Sequence, residues 1–167
     1  MTLAFLGLGS NLGDRHAALD TAVARIVADP HIGTVHRSPL YETDPVGGPD
    51  QPDFLNAVVR VAAREAPDRQ AFAEHLLRLA HSIEAELHRT RSERWGPRTI
   101  DIDVLAVGGL TSSDPRLTLP HPRAWQRAFV LVPWADLDPG FEIPGRGRVA
   151  DLLAALPQWQ RDGVRAV

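Results

Sequence analysis

Apolar and polar residues alternate in blocks along this chain, and the period of each block names an element. Leu3 to Leu8 form a short apolar run ending in Gly9-Ser10-Asn11-Leu12-Gly13-Asp14, the pattern of a buried strand that turns into a helix capped by Ser10 or Asn11, within the stretch Ser10 to Asp14. Leu19, Val23 and Ile26 recur at helical spacing, so this helix runs to about Asp29, where Pro30 stops it. A strand is expected around Thr34 to Tyr41. After the proline- and glycine-bearing loop Glu42 to Asp53, a second strand spans Phe54 to Ala63, with Leu55, Ala57, Val59 and Val61 on one face and Asn56 and Arg60 on the other. Pro67 suits the first turn of a second helix, whose stripe Phe72, Leu76, Leu79, Ile83 and Leu87 ends near His88. From Thr99 to Val107 the pattern is again that of a strand, because Ile100, Ile102 and Val104 alternate with Asp101 and Asp103. Arg123 to Leu137 reads as helical at least in part, and Val149 to Leu156 as a short helix before a polar end.

The resulting order, βαββαβ, predicts an α+β fold: a ferredoxin-like core in which helices pack on an antiparallel sheet, with C-terminal additions. No fixed-period repeat or low-complexity tract interrupts residues 1–167, which are expected to form a single domain. This architecture hosts many functions, so the chemistry has to be read from particular residues.

Composition narrows the field. With 167 residues, 44% apolar and 23% charged, the chain can bury ~70% of its unfolded surface and needs no covalent staples. It contains no cysteine, which excludes disulfides, thiolate metal sites and cysteine nucleophiles. All 18 basic residues are arginine, which removes the Walker lysine, the Schiff base and the lysine general base. The formal net charge of −3 argues against a general nucleic-acid coat and allows a local cationic pocket. The N-terminal apolar run is too short for a membrane span or signal peptide and has no basic region before it, so a cytoplasmic protein, free of membrane and nucleic acid, is expected.

Three stretches carry candidate chemistry. In Arg89-Thr90-Arg91-Ser92-Glu93-Arg94-Trp95-Gly96-Pro97-Arg98-Thr99-Ile100-Asp101-Ile102-Asp103, four arginines precede two carboxylates. On a strand, positions i and i+2 project from one face with α-carbons ~6.5 to 7 Å apart, so Asp101 and Asp103 can converge on hard cations. Two carboxylates suit Mg²⁺, which keeps waters and takes further oxygens from substrate phosphates, and guanidinium forks bind those phosphates. The alternative is a solvated charged loop beside an edge strand. In Thr43-Asp44-Pro45-Val46-Gly47-Gly48-Pro49-Asp50-Gln51-Pro52-Asp53-Phe54-Leu55-Asn56, Phe54 offers a flat face and Asn56 a donor and an acceptor for the edge of a heterocycle; a stiff connection with Phe54 in the core is the plainer reading. In Arg116-Leu117-Thr118-Leu119-Pro120-His121-Pro122, followed by Arg127, His121 between two prolines either contacts a phosphate or is simply exposed. His16, His31, His36, His75, His81 and His88 show no metal-ligand spacing and read as surface residues. Gly7 to Gly13 miss the dinucleotide-binding glycine spacing; those glycines let the strand pass close to a neighbour or ligand.

Together these segments resemble the 6-hydroxymethyl-7,8-dihydropterin pyrophosphokinases of folate biosynthesis. The resemblance rests on Gly9-Ser10-Asn11-Leu12-Gly13-Asp14, on Pro45-Val46-Gly47 through Gln51-Pro52-Asp53-Phe54-Leu55-Asn56, on Arg94-Trp95-Gly96-Pro97-Arg98-Thr99-Ile100-Asp101-Ile102-Asp103, and on Pro120-His121-Pro122 with Arg127 and Phe129. It implies transfer of a diphosphate from ATP to the hydroxymethyl oxygen of the pterin, giving AMP and the pterin diphosphate. It also implies two Mg²⁺ ions on Asp101 and Asp103, and a pterin stacked between Phe54 and Phe129. Asn56 would read the pterin's polar edge with Thr43, Pro45 and Val46, and Trp95 would close the site. Catalysis would draw on Arg91 and Arg98 with the two aspartates. ATP contacts would come from Glu84, Arg89, Arg91, Arg98, Arg116, Thr118, His121 and Arg127. His88 stands where many members have glycine, and the loop from Glu84 to Trp95 is about one residue shorter than in some. No family motif lies after about Pro144. A monomer acting on small molecules is expected; the alternative function is a two-metal nucleotidyltransferase or nuclease using Asp101 and Asp103.

Overall fold

A computed structural model describes residues 1–45, 50–65, 68–87 and 99–167. Strand β1 (Leu3–Ser10) leads into helix α1 (Arg15–Val27), followed by strands β2 (Ile32–Arg37), β3 (Tyr41–Thr43) and β4 (Phe54–Ala63). Helix α2 (Arg69–Glu86) then leads to β5 (Asp101–Val107). The sheet runs β5-β1-β4-β3, with β2 also paired to β4, and all these pairings are antiparallel. Taken with β2 and β3 as one broken strand, this is the ferredoxin-like arrangement expected from the sequence.

The expected Thr34–Tyr41 strand is in fact two strands. Ser38 leaves the ladder where Pro39 cannot donate, and its N–H donates to Val58 O while its Oγ accepts from Val58 N. The cap of α1 falls within the expected stretch Ser10 to Asp14, but at its far end rather than at Ser10 or Asn11. β1 continues through Ser10, which pairs with Leu55, and Asn11 donates to Gln51 Oε1 and Pro52 O. The N-cap is therefore Asp14, whose carboxylate accepts from Ala17 N at 3.0 Å. Asp68 caps α2 in the same way; Pro67 and His88, the expected ends of that helix, lie outside the described residues. Of the histidines expected at the surface, His75 is only half-exposed, its Nε2 bonded to both carboxylate oxygens of Asp29 at 2.9 Å.

Even-numbered β1 residues Leu6 and Leu8, odd-numbered β4 residues Leu55, Ala57, Val59 and Val61, and Ile102 and Val104 of β5 bury one face beneath Leu19 and Ile26 of α1 and Leu76 and Ile83 of α2. The second face has its own cover. After a 3-10 turn (Ala124–Gln126) come helices α3 (Ala128–Leu137), α4 (Val149–Ala155) and α5 (Gln158–Asp162), with a small ribbon β6 (Glu142–Ile143) and β7 (Gly147–Arg148). Trp134 and Leu131 of α3 and Val149 of α4 pack on Phe5, Val58 and Leu105, with Phe141 against both Phe5 and Trp134. The polar end read from the sequence holds one more strand, β8 (Val164–Ala166), which pairs antiparallel with β3 at Thr43↔Val164. No helix among the described residues is long and apolar enough to cross a membrane.

Candidate functional site

Strand phase decides which side chains meet. On β4, Phe54, Asn56 and Val58 point away from α1 and α2; across the ladder Asn56 pairs with Gly9, which on its other side pairs with Asp101. Gly7 likewise lies between Val58 and Asp103. Phe54, Asn56, Asp101 and Asp103 therefore stand on one face, separated by a strand that carries glycine at both intervening positions. Gly9 is required by close approach: a Cβ there would lie 2.9 Å from Asn56 Oδ1 and 3.6 Å from Phe54 Cδ1.

Asn56 and Thr43 are both buried, and Asn56 Nδ2 donates to Thr43 Oγ1 at 2.6 Å. This bond orients the amide and engages one of its two N–H donors within the protein, so a heterocycle would be read by the other N–H and by Oδ1. Tyr41, opposite Asn56 on β3, donates its hydroxyl to Asp136 of α3; burial, followed by this carboxylate, pushes the phenol pKa up to about 12. Phe54 is half-buried, not a core residue, and Pro45 is likewise half-buried beside Thr43.

Asp101 and Asp103 are half-exposed at the start of β5. The peptide N–H between them, on Ile102, donates to Glu84 Oε2 at 3.3 Å, so a buried carboxylate of α2 holds the strand that presents both aspartates. His121 arrives by its backbone: its N–H donates to Leu105 O at 2.8 Å, and the preceding segment folds on itself through a Ser112↔Leu119 bridge. Its Nε2 lies 4.0 Å from Asp103 Oδ2, and its Nδ1 accepts from Arg123 N. Burial, with Arg127 next, pushes the His121 pKa down to about 4 against the opposing pull of Asp101. Phe129 stands in the first turn of α3, half-buried against the second core, with the Arg127 guanidinium 5.5 Å from its ring centroid.

Asp101, Asp103, His121 and Arg127 are thus one neighbourhood. Arg116 and Thr118 have a separate local anchor: Arg116 forks onto the Asp114 carboxylate at 2.9 and 3.3 Å, holding that acid below its usual range, and Thr118 Oγ1 donates to Asp114 O. Val46, Arg89, Arg91, Trp95 and Arg98 lie outside the described residues. Sequence reasoning missed Arg15, which donates to Asp53 O and pairs with Glu42, and Arg165, which reaches the loop from β8. The first follows the Gly9–Asp14 motif directly and was legible as its continuation; a three-residue strand gives no periodic signal.

Residues 5–139 match the model of the family described as 7,8-dihydro-6-hydroxymethylpterin-pyrophosphokinase (HPPK). A 2-amino-4-hydroxy-6-hydroxymethyldihydropteridine pyrophosphokinase of Methylorubrum extorquens is 49% identical over 156 residues, covering 93% of this chain and 94% of its own. The Bacillus subtilis protein of the same name is 42% identical over 135 residues, 81% of this chain and 77% of its own. Among solved structures, wild-type Plasmodium falciparum HPPK-DHPS with pterin and p-hydroxybenzoate matches with a TM-score of 0.60 at 16% identity, over 92% of this chain. The chain spans only 42% of that longer protein, and the likeness shows the fold. These relatives do not favour the nucleotidyltransferase or nuclease alternative. On the family match and the identity to relatives of nearly equal length, the chain belongs to the 7,8-dihydro-6-hydroxymethylpterin-pyrophosphokinase family.

Proposed function

We propose that this chain transfers a diphosphate from ATP to the hydroxymethyl oxygen of 6-hydroxymethyl-7,8-dihydropterin, releasing AMP and the pterin diphosphate, a step of folate biosynthesis. The observation that carries the reading is the row Asn56–Gly9–Asp101, in which a heterocycle reader and a phosphate-side carboxylate face the same side of the sheet with no side chain between them. A pterin resting on Phe54 and Phe129, its edge read by the Asn56 amide, would have its hydroxymethyl arm directed across Gly9 toward the ATP phosphates.

Asp101 and Asp103 would hold Mg²⁺. The donor set fits: two half-exposed carboxylates on one face of β5 supply hard oxygen ligands and leave the remaining positions to water and phosphate oxygens. When bound, Mg²⁺ supplies Lewis-acid stabilisation of charge on the phosphates. Arg127 adds fixed positive charge, and His121, whose Nδ1 is engaged by the Arg123 N–H, has Nε2 left to donate a hydrogen bond to a phosphate oxygen. Transfer of this kind is mostly positioning and charge stabilisation, so no nucleophilic side chain is required. Arg91, Arg98 and Arg89 are proposed to contact the phosphates, Trp95, Val46, Thr43 and Pro45 the pterin, and Glu84, Arg116 and Thr118 the nucleotide side. Residues 1–167 are read as one unit, an inference supported by the pairing of C-terminal β8 with β3.

Phosphorus NMR of a reaction containing Mg-ATP and hydroxymethyl-dihydropterin tests the proposal. AMP with a pterin diphosphate is expected, formed only when the pterin is present. ADP with a pterin monophosphate would overturn it.

A further inference from the structure

The β3–β4 ladder ends at Thr43↔Phe54. The next residue on each strand is an aspartate, Asp44 on one side and Asp53 on the other, so two like charges flank the last rung, directly beside residues assigned above to the pterin. Carboxylates placed opposite one another would push the strand ends apart. One guanidinium answers both: Arg165 Nη2 donates to Asp53 Oδ2 at 2.8 Å and Arg165 Nη1 to Asp44 Oδ1 at 3.2 Å, while Nη1 also donates to Gly163 O. Arg165 lies on β8, whose pairing with β3 puts it opposite Glu42 and fixes its approach. The family match ends at residue 139, so this clamp comes from a segment beyond it.

We infer that Arg165 is a positioning residue for the pterin side of the site: by closing the two ends of the Asp44–Asp53 segment on a single fork, the C-terminal strand sets the separation of Thr43 from Phe54 and so the place of the aromatic face and of the Thr43–Asn56 bond. The inference rests on the pterin assignment proposed above. Asp101, Asp103 and His121 are held by β1, α2 and the Leu105 carbonyl, none of which Arg165 touches. Loss of the clamp should therefore loosen the pterin side and leave the phosphate side in place. Both ion pairs are partly solvent-exposed, with 43% of the Arg165 side chain accessible, so the effect is a modest one.

The test is steady-state kinetics on the full chain with Arg165→Ala, Arg165→Lys and the double variant Asp44→Asn/Asp53→Asn, with and without Arg165→Ala. The KM for hydroxymethyl-dihydropterin should rise about five-fold in Arg165→Ala, while the KM for ATP and kcat stay within about two-fold. Lysine should restore part of the loss. In the background that lacks both carboxylates, removing Arg165 should change the pterin KM by less than about two-fold, because the repulsion it offsets is gone. A merely structural arginine would lower the melting temperature and the active fraction while leaving the pterin KM where it was, and that result, or equal rises in both KM values, would overturn the inference. A wild-type chain that forms AMP beside an Arg165→Ala chain with unchanged pterin KM overturns this inference alone; a wild-type chain that does not use the pterin overturns it together with the function it rests on.

Discussion

On the α1/α2 face of the sheet, Leu6, Leu8, Leu55, Ala57, Val59, Ile102 and Val104 are each 6% exposed or less, whereas on the opposite face the same three strands carry Gly7, Gly9, Phe54, Asn56, Asp101 and Asp103. The first face is closed by two long helices with matching stripes. The second is closed only in part, where Trp134 and Leu131 cover Phe5, Val58 and Leu105, and the polar and glycine positions lie next to that cover. Because side chains alternate along a strand, one backbone serves both faces at once. Stability and chemistry are thereby separated by a single residue step, and substitutions one position apart should have effects of different kinds.

The sharpest way to break this comparison is to hollow the closed face. Leu6→Ala should cost about 3 kcal/mol of stability, in the range for buried leucine truncation, while the surviving folded protein keeps its turnover. Urea unfolding, with activity measured well below the transition, checks it; a large fall in kcat at unchanged stability would show that the faces are not separate. Next in size are Asp101→Ala and Asp103→Ala, each expected to lower turnover at least ~10²-fold, about 2.7 kcal/mol, with the melting temperature retained. Near-native rates at limiting Mg²⁺ in both variants would remove the metal assignment.

Phe54→Ala and Phe129→Ala sharpen the comparison further, because both rings are half-buried and border the two regions. Each should weaken pterin binding by ~1 to 3 kcal/mol, by analogy with base–aromatic stacking, and leave ATP binding alone. Isothermal titration with each ligand decides; equal losses, or a large drop in melting temperature, would assign the rings to packing. The smallest effect is expected at Gly9→Ala. Its Cβ would stand 2.9 Å from Asn56 Oδ1, so the buried amide must turn from its bond to Thr43, and stability and pterin affinity should each fall by about 1 kcal/mol. An unaltered pterin affinity would mean that Asn56 does not read the ligand from its present position.

How much of this was legible beforehand follows the same division. Helix stripes and strand alternation are local, so α2, β4, β5 and the C-terminal end of α1 could be read to within about two residues, and with β5 the common phase of Asp101 and Asp103. Pairing between distant segments is not local. The break at Ser38–Pro39 depends on Val58 accepting Ser38 as a partner, and the displacement of the α1 cap to Asp14 depends on Leu55 holding Ser10 in the sheet. Strand β8 exists because β3 offers it an edge, and three residues with an arginine in the middle carry no periodic trace of that. In the site, the family resemblance implied a nucleotide role for Glu84; its bond to the Ile102 N–H became visible only once α2 and β5 were side by side. The segments richest in arginine, residues 88–98, include Arg89, Arg91, Trp95 and Arg98 and lie outside the described residues.

The glycine at the centre of the row has one further consequence. Neighbouring strands lie ~4.8 Å apart, so the Asn56 and Asp101 backbones are held about 9.6 Å from each other by two sets of main-chain hydrogen bonds. That gauge has no rotamers. Under the proposed assignment, the distance over which one substrate would reach the other is metered by the inter-strand spacing, which is indifferent to side-chain identity, so drift in the flanking residues could retune affinity without altering the span. A deletion within β1 is a different matter: it would slip the ladder by one step and turn Leu8 outward into the gap, losing the proposed seats of both substrates in a single event.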